Sequence, residues 1–264
     1  MKKLFAMLLA LVMVLGLAAC ANNDNTTTSS TKNESTNPSS TGTSPEVNAM
    51  THAEYVAAED GSKVEILAYV QAYQVSAKDN VISIYAQDKD GGYFIYGVPY
   101  TKETAAKLQK GVKIHVSGSK GSWNGEMEVM EPNLEVIDDN DQYIADACDV
   151  TALMGKDKLI DHQNELVTIK GLTVAASKIE NDDKEYAFLY NWNGSGSEGD
   201  DIYITVMLDD AKYSICVESD LCNKDSEVYK AVQKLKIGDV IDVEAFLYWY
   251  NGAEAHITGV KKAA

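Results

Sequence analysis

From residue 63 onward, apolar side chains recur at every second position in short runs, and polar turns separate the runs. Lys63 to Val75 sets Val64, Ile66 and Ala68 on one face, and Val81 to Gln87 and Tyr93 to Val98 follow, with turns at Ser76 to Asn80 and Asp88 to Gly92. A period of two over such lengths predicts half-buried strands. Thr101 to Gln109 then has helical spacing, with Ala105, Ala106 and Leu108 near one face and Gly111 as its stop. Val112 to Ser117 and Gly125 to Met130 predict a hairpin across Trp123-Asn124-Gly125. Ahead of the first strand, Thr51-His52-Ala53-Glu54 has capping-box spacing and predicts a short helix through Ala58.

The pattern occurs a second time. Leu108 to Gly125 aligns without a gap on Leu235 to Gly252, placing Gly111 on Gly238, Ile114 on Ile241 and Val116 on Val243. The aromatic-Asn-Gly turn Trp123-Asn124-Gly125 falls on Tyr250-Asn251-Gly252. Upstream of the second copy, Glu165 to Ala175 matches the first strand. Ile202 to Leu208 and Tyr213 to Glu218 predict a hairpin turning at Asp209-Asp210, and Asp225 to Lys236 predicts a helix. Asp149 to Met154 reads as a second short leading helix. Glu185 to Trp192 is an extra strand-like run, and Asn193 to Asp201 is a polar loop with no counterpart in the first copy. Pro132 to about Asp146 reads as the connector, so the expected domains are 49–137 and 149–264, joined by 138–148.

Three strands, a helix and two strands is the element order of an OB fold. The chain resembles the tandem OB-fold domains of bacterial surface lipoproteins. The likeness is carried by the Gln87-Asp88-Lys89-Asp90-Gly91 turn, Leu108 to Val116, Leu235 to Val243 and the two aromatic-Asn-Gly turns, and it spans residues 50–262. The expected fold class is mainly β with short helices: two tandem five-stranded OB-fold-like barrels after a signal peptide and a disordered tether. A β-sandwich is the competing architecture, and helices at matching places in both copies count against it.

The first residues fit that picture. Lys2 and Lys3 precede an apolar run from Leu4 to Leu17, which ends at Leu17-Ala18-Ala19-Cys20. This resembles a bacterial lipoprotein signal, which implies removal of residues 1–19, diacylation of Cys20 and a lipid-anchored chain facing the cell exterior. Residues 20–48 are rich in Ser, Thr and Asn and predict a disordered tether.

Composition narrows the function. The net charge is −17, and all 23 basic residues are lysine. Without arginine to read phosphate and guanine, an acidic chain is a poor candidate for nucleic acid. Cys148, Cys216 and Cys222 are an odd set with no Cys-x-x-Cys spacing, so neither a disulfide framework nor a metal site is expected, and no cofactor is expected. A bridge between Cys216 and Cys222 stays open. His52, His115, His162 and His256 stand apart from any nucleophile motif, and the expectation is that the protein is not an enzyme. Asp88-Lys89-Asp90-Gly91 lacks the length and closing Glu of a calcium loop.

What remains is aromatic. OB folds bind ligands on strands two and three, framed by the loops joining strands one to two and four to five. With Ile82 and Ile84 inward, Ser83, Tyr85 and Gln87 point outward, and Tyr93 is expected beside Tyr85 on that face. The four-to-five turns carry Trp123, Trp249 and Tyr250. These five rings, Tyr85, Tyr93, Trp123, Trp249 and Tyr250, are the expected ligand surface, with packing at the barrel ends or between the domains as the alternative. The expected function is a non-catalytic binding or adaptor module for a carbohydrate or peptide. Single-stranded nucleic acid is the alternative that the charge disfavours.

Overall fold

The structure is a computed structural model and describes residues 48–263. Cys20, the leader and nearly all of the tether lie outside the described residues. Among those described, no helix is long and apolar enough to cross a membrane.

The capping box forms as its spacing predicts. Glu54 Oε2 accepts from the Thr51 backbone N–H at 2.8 Å, Thr51 Oγ1 accepts from the Glu54 N–H at 3.3 Å, and α1 runs His52–Ala57. The first copy continues with β1 (Lys63–Ser76), β2 (Val81–Gln87), β3 (Gly92–Pro99), α2 (Lys102–Lys107), β4 (Lys113–Trp123) and β5 (Glu126–Val136). These five strands close in the order β1-β2-β3-β5-β4. β1 makes closure possible because it is long enough to serve two neighbours. Lys63 to Tyr69 pairs with β4, and Tyr69 to Ser76 pairs with β2 across a bulge between Val70 and Ala72. Inward alternation fills the barrel with Ile66, Ala68, Ile82, Ile84, Ile95, Ile114 and Val116, all inaccessible to solvent, and Tyr55 from α1 packs on this core. β5 runs through Pro132, which the sequence pattern assigns to the connector.

The second copy has β6 (Cys148–Asp149), two 3-10 turns (Thr151–Leu153 and Asp157–His162), β7 (Leu166–Val174), β8 (Leu189–Tyr190), β9 (Ile202–Leu208), β10 (Ala211–Val217), α3 (Glu227–Val232), β11 (Val240–Trp249) and β12 (Ala253–Lys262). Its sheet order is β6-β7-β11-β12-β10-β9-β8, and pairing of Thr173 and Val174 in β7 with Met207 and Val206 in β9 closes the inner five strands. With β7 as strand one, the ring repeats the first barrel strand for strand, so two five-stranded OB-like barrels stand in tandem. The predicted leading helix is only a 3-10 turn, and the extra Glu185 to Trp192 run reduces to the two-residue β8.

The duplicated segment is duplicated in conformation. Gly111 and Gly238, which lead into β4 and β11, have φ of 88° and 89°, where a side chain would strain the backbone. Asn124 and Asn251 repeat at φ 51° and 55°. The two turns also touch: the Asn251 N–H donates to the Asn124 carbonyl at 2.7 Å.

The barrels share a third, smaller core in which Tyr85 and Phe94 of the first meet Leu166 and Phe246 of the second, with Ala145 of the connector. Tyr85 and Phe246 stack with centroids 4.3 Å apart and planes 6° from parallel. The Leu166 N–H donates to Gln87 Oε1 at 2.9 Å, and Gln163 Nε2 donates to the Gly125 carbonyl at 2.9 Å. At Gly92 the chains approach so closely that a Cβ would lie 2.3 Å from the Asn164 carbonyl carbon. Backbone cannot yield as a flexible side chain does, so Gly92→Ala should destabilise the protein by about 1–3 kcal/mol. Denaturant unfolding would measure it, and an unchanged midpoint would contradict this packing.

Candidate ligand cleft between the barrels

The outer face of the second barrel is set by alternation. In β9, Ile202, Ile204 and Val206 fill the core, so Tyr203 and Thr205 point out. Ser214 pairs opposite Thr205 and Cys216 opposite Tyr203, which puts both on the same outer face of β10, and Cys216 pairs with His256 of β12. Glu254 and His256 flank the core residue Ala255. In the first barrel the same logic turns Phe94 and Tyr96 of β3, and Glu128 and Met130 of β5, away from the core residues Tyr93, Ile95 and Val129. The two outer faces enclose a cleft of about 990 Å³. In OB terms the cleft covers strands two and three of the second barrel. It is framed by that barrel's one-to-two loop with Trp192, its four-to-five turn with Tyr250, and the facing turn of the first barrel with Trp123.

Aromatic side chains dominate the mouth. Trp123, Trp192 and Tyr250 are 60%, 74% and 51% exposed although all three line the cleft. Deeper in, Tyr248 stacks on His256 with centroids 4.4 Å apart, and the Tyr85 hydroxyl lies 2.7 Å from His256 Nδ1. We assign Nδ1 as the acceptor, because a phenol is the better donor; Nε2 then faces Glu218 Oε1 at 3.6 Å. Burial pushes the His256 pKa down to about 3, so the ring is neutral at ordinary pH.

The cleft's carboxyl groups are shifted the other way. Burial raises Glu128 to about 7. Burial first, and then the nearby charges of Asp201 and Glu254, raise Glu218 to about 8, and Glu254 is raised by the same two causes, burial and Asp201. No lysine lines the cleft. Burial thus favours the protonated forms of these carboxyls, beside hydroxyls and ring faces, and lowers the negative charge of this hydrogen-bonding surface on a strongly acidic protein.

Of the five rings expected to bind, Trp123 and Tyr250 line the cleft and are open to solvent. Tyr85 does point outward, but onto the other barrel, where it is fully buried. Tyr93 is a correction: β2 and β3 pair with Tyr85 opposite Phe94 and Ala86 opposite Tyr93, so Tyr93 turns into the first core and packs on Tyr55. Trp249 is also a packing residue. It leans on the second core, and a Cβ at Gly125 would lie 2.8 Å from its ring. Sequence reasoning missed Tyr96, Trp192, Tyr203 and Tyr248. Trp192 had a signal: the unmatched Glu185 to Asp201 segment falls in the loop between strands one and two, one of the two loops that frame an OB site.

No family model and no curated protein matches this sequence. Solved structures do resemble it. The p204 HINb domain is 11% identical at a TM-score of 0.34, covering 78% of this chain and all of its own. A murine DNA-binding protein bound with double-stranded DNA is 9% identical at 0.36, covering 76% of this chain and 96% of its own. The p202 HIN1 domain in complex with a 12-mer double-stranded DNA is 11% identical at 0.34, covering 84% of this chain and all of its own. At these scores the likeness assigns no ligand to this chain. It does correct one expectation: charge and the lack of arginine do not suffice to set nucleic acid aside, since two of these similar chains are described as holding duplex DNA.

Proposed function

We propose that this protein is a non-catalytic binding module whose ligand lies in the inter-barrel cleft and presents flat ring faces together with hydroxyl groups, as a glycan does. The observation that carries this is the convergence of Trp123 at the end of β4, Trp192 of the one-to-two loop and Tyr250 of the second four-to-five turn on the mouth of one cleft. Large exposed rings on rigid turns offer stacking area at little entropic cost. Beneath them, a carboxyl that keeps its proton, the form that burial favours for Glu128 and Glu218, donates to a ligand hydroxyl as well as accepting from one. The non-catalytic part rests on the sequence, in which His52, His115, His162 and His256 stand apart from any nucleophile motif. Cys20, if lipidated, would hold the module at the outer face of a membrane, and metabolic labelling with a fatty acid, lost in Cys20→Ala, tests that.

Single-stranded nucleic acid is the second reading. It is favoured by the position of the cleft over strands two and three of the second barrel, the general oligonucleotide surface of OB folds, where rings stack on bases. Calorimetry with a glycan panel and a single-stranded oligonucleotide separates the two. Glycan affinity should barely respond to salt, whereas oligonucleotide affinity should fall steeply between 50 and 200 mM, an order-of-magnitude range for phosphate contacts. Trp123→Ala and Trp192→Ala should each weaken binding about tenfold, the worth of roughly one stacked ring. Turnover of a glycan would end the non-catalytic reading, and affinity unchanged in both tryptophan variants would move the site elsewhere.

A further inference from the structure

The second barrel brings together three metal-ligating side chains that are scattered in the sequence. Cys148 stands on β6, His162 ends the second 3-10 turn, and Glu165 immediately precedes β7. The parallel pairing of Cys148 with Val167 carries the thiol back beside the residues that lead into β7. One ligand atom from each of Cys148, His162 and Glu165 lies within 4.8 Å of the other two. His162 Nδ1 and Glu165 Oε2 are already 2.9 Å apart.

We propose that Cys148, His162 and Glu165 form a binding site for a divalent transition-metal cation of the zinc class, separate from the aromatic cleft. Sulfur, nitrogen and oxygen donors together suit a borderline-soft cation such as Zn²⁺ and discriminate against Mg²⁺ and Ca²⁺, which take all-oxygen sets. Three protein ligands leave the fourth tetrahedral position for water. Metal–ligand bonds of about 2.0–2.3 Å put tetrahedral donors about 3.3–3.8 Å apart, so the present spread closes with side-chain adjustments of about an ångström. Charge balances as well. On binding, the Cys148 thiol releases its proton to solvent, and thiolate, carboxylate and neutral imidazole then offset the dication.

The position gives the site a consequence. Cys148 ends the connector, while the residues between the other two ligands bind the first barrel: Gln163 to the Gly125 carbonyl, and Asn164 Nδ2 to the Met127 carbonyl at 3.3 Å. A bound cation therefore clips the connector to the stretch that docks one barrel on the other.

The test uses the full chain, purified free of metal and titrated with Co²⁺ and then Zn²⁺. The expected result is about one equivalent of Co²⁺ bound, with a thiolate-to-cobalt charge-transfer absorption in the near ultraviolet that Zn²⁺ abolishes. Cys148→Ser should remove that absorption, and His162→Gln and Glu165→Gln should each weaken binding at least about tenfold. Zn²⁺, but not Mg²⁺, should protect Cys148 from alkylation in the unmodified protein, a readout that needs no variant. Absence of the absorption with unprotected Cys148, or an absorption that survives in Cys148→Ser, would overturn the site.

Discussion

Replacing Phe246 with alanine is expected to cost about 3–5 kcal/mol of stability and to break the single unfolding transition into two. The ring is 1% exposed and lies flat on Tyr85, so its removal leaves a cavity between two sheets that keep their own closed hydrogen-bond ladders. Neither barrel can collapse to fill the gap without shifting a strand, which is the situation in which large-to-small changes are most damaging. Tyr85 loses its stacking partner and keeps the contact of its hydroxyl with His256. Each barrel also has a separate core, centred on Ile66, Ile84 and Ile114 in the first and on Ile169, Ile204 and Ile241 in the second. With the shared core opened, those two cores have less reason to melt together. Denaturant unfolding followed by tryptophan fluorescence and by circular dichroism would show it: coincident transitions in the native protein and separated ones in Phe246→Ala. A loss under about 1 kcal/mol with coincident transitions would mean that the stack does not couple the barrels.

The same interface marks where the sequence could be read and where it could not. Ile114 and Ile241, or Gly111 and Gly238, were legible as equivalent because strand alternation and a glycine stop are local signals. The barrels follow from those signals and the element order. Register is not local. Whether Tyr93 stands beside Tyr85 depends on the pairing of β2 with β3, and that ladder shifts between Ile82 and Ile84. On the turn side of that shift Gln87 pairs with Gly92, and this register puts Phe94 rather than Tyr93 opposite Tyr85 on the outer face. Trp249 and Tyr250 are sequence neighbours on opposite sides of a strand end, so one packs and the other lines the cleft. The carboxyl floor was least accessible. Glu128 comes from one barrel and Glu218 and Glu254 from the other, and only docking makes them one environment. Cys148, His162 and Glu165 are the same case on a smaller scale, assembled by one parallel bridge.

The second large effect is that the protein should be most stable near pH 5 and lose on the order of 4 kcal/mol by pH 9, the reverse of the trend set by paired surface carboxylates. Glu126 is the chief cause. It is fully buried in the interface, where its Oε2 accepts from the Trp249 N–H at 2.8 Å and from Gln163 Nε2 at 3.2 Å. Burial raises its pKa from 4.5 to about 8, against the lowering effect of those hydrogen bonds. Three acceptors in this interface, Glu126 Oε1, Gln163 Oε1 and Asn164 Oδ1, have no hydrogen-bond partner, and a proton on Glu126 turns one acceptor into a donor. Between pH 4.5 and 8 the folded chain thus keeps a proton that the unfolded chain has lost. Its stabilising contribution is complete below about 4.5 and is lost as pH rises through 8. Glu128, raised to about 7, adds in the same direction, as does Glu218, which is weighted less because a quarter of its side chain meets solvent. His256 opposes them on the acid side. Its pKa falls from 6.5 to about 3, so the unfolded state gains a proton first and stability is lost as pH drops through that window. The balance of three carboxyls against one imidazole places the maximum near pH 5. Glu126→Gln mimics the protonated acid: it should change stability little at pH 5, raise it by about 1–3 kcal/mol at pH 9, and flatten the profile between. Urea midpoints across that range check both statements, and a native profile that rises from pH 5 to 8 would show that Glu126 is ionised in the folded protein.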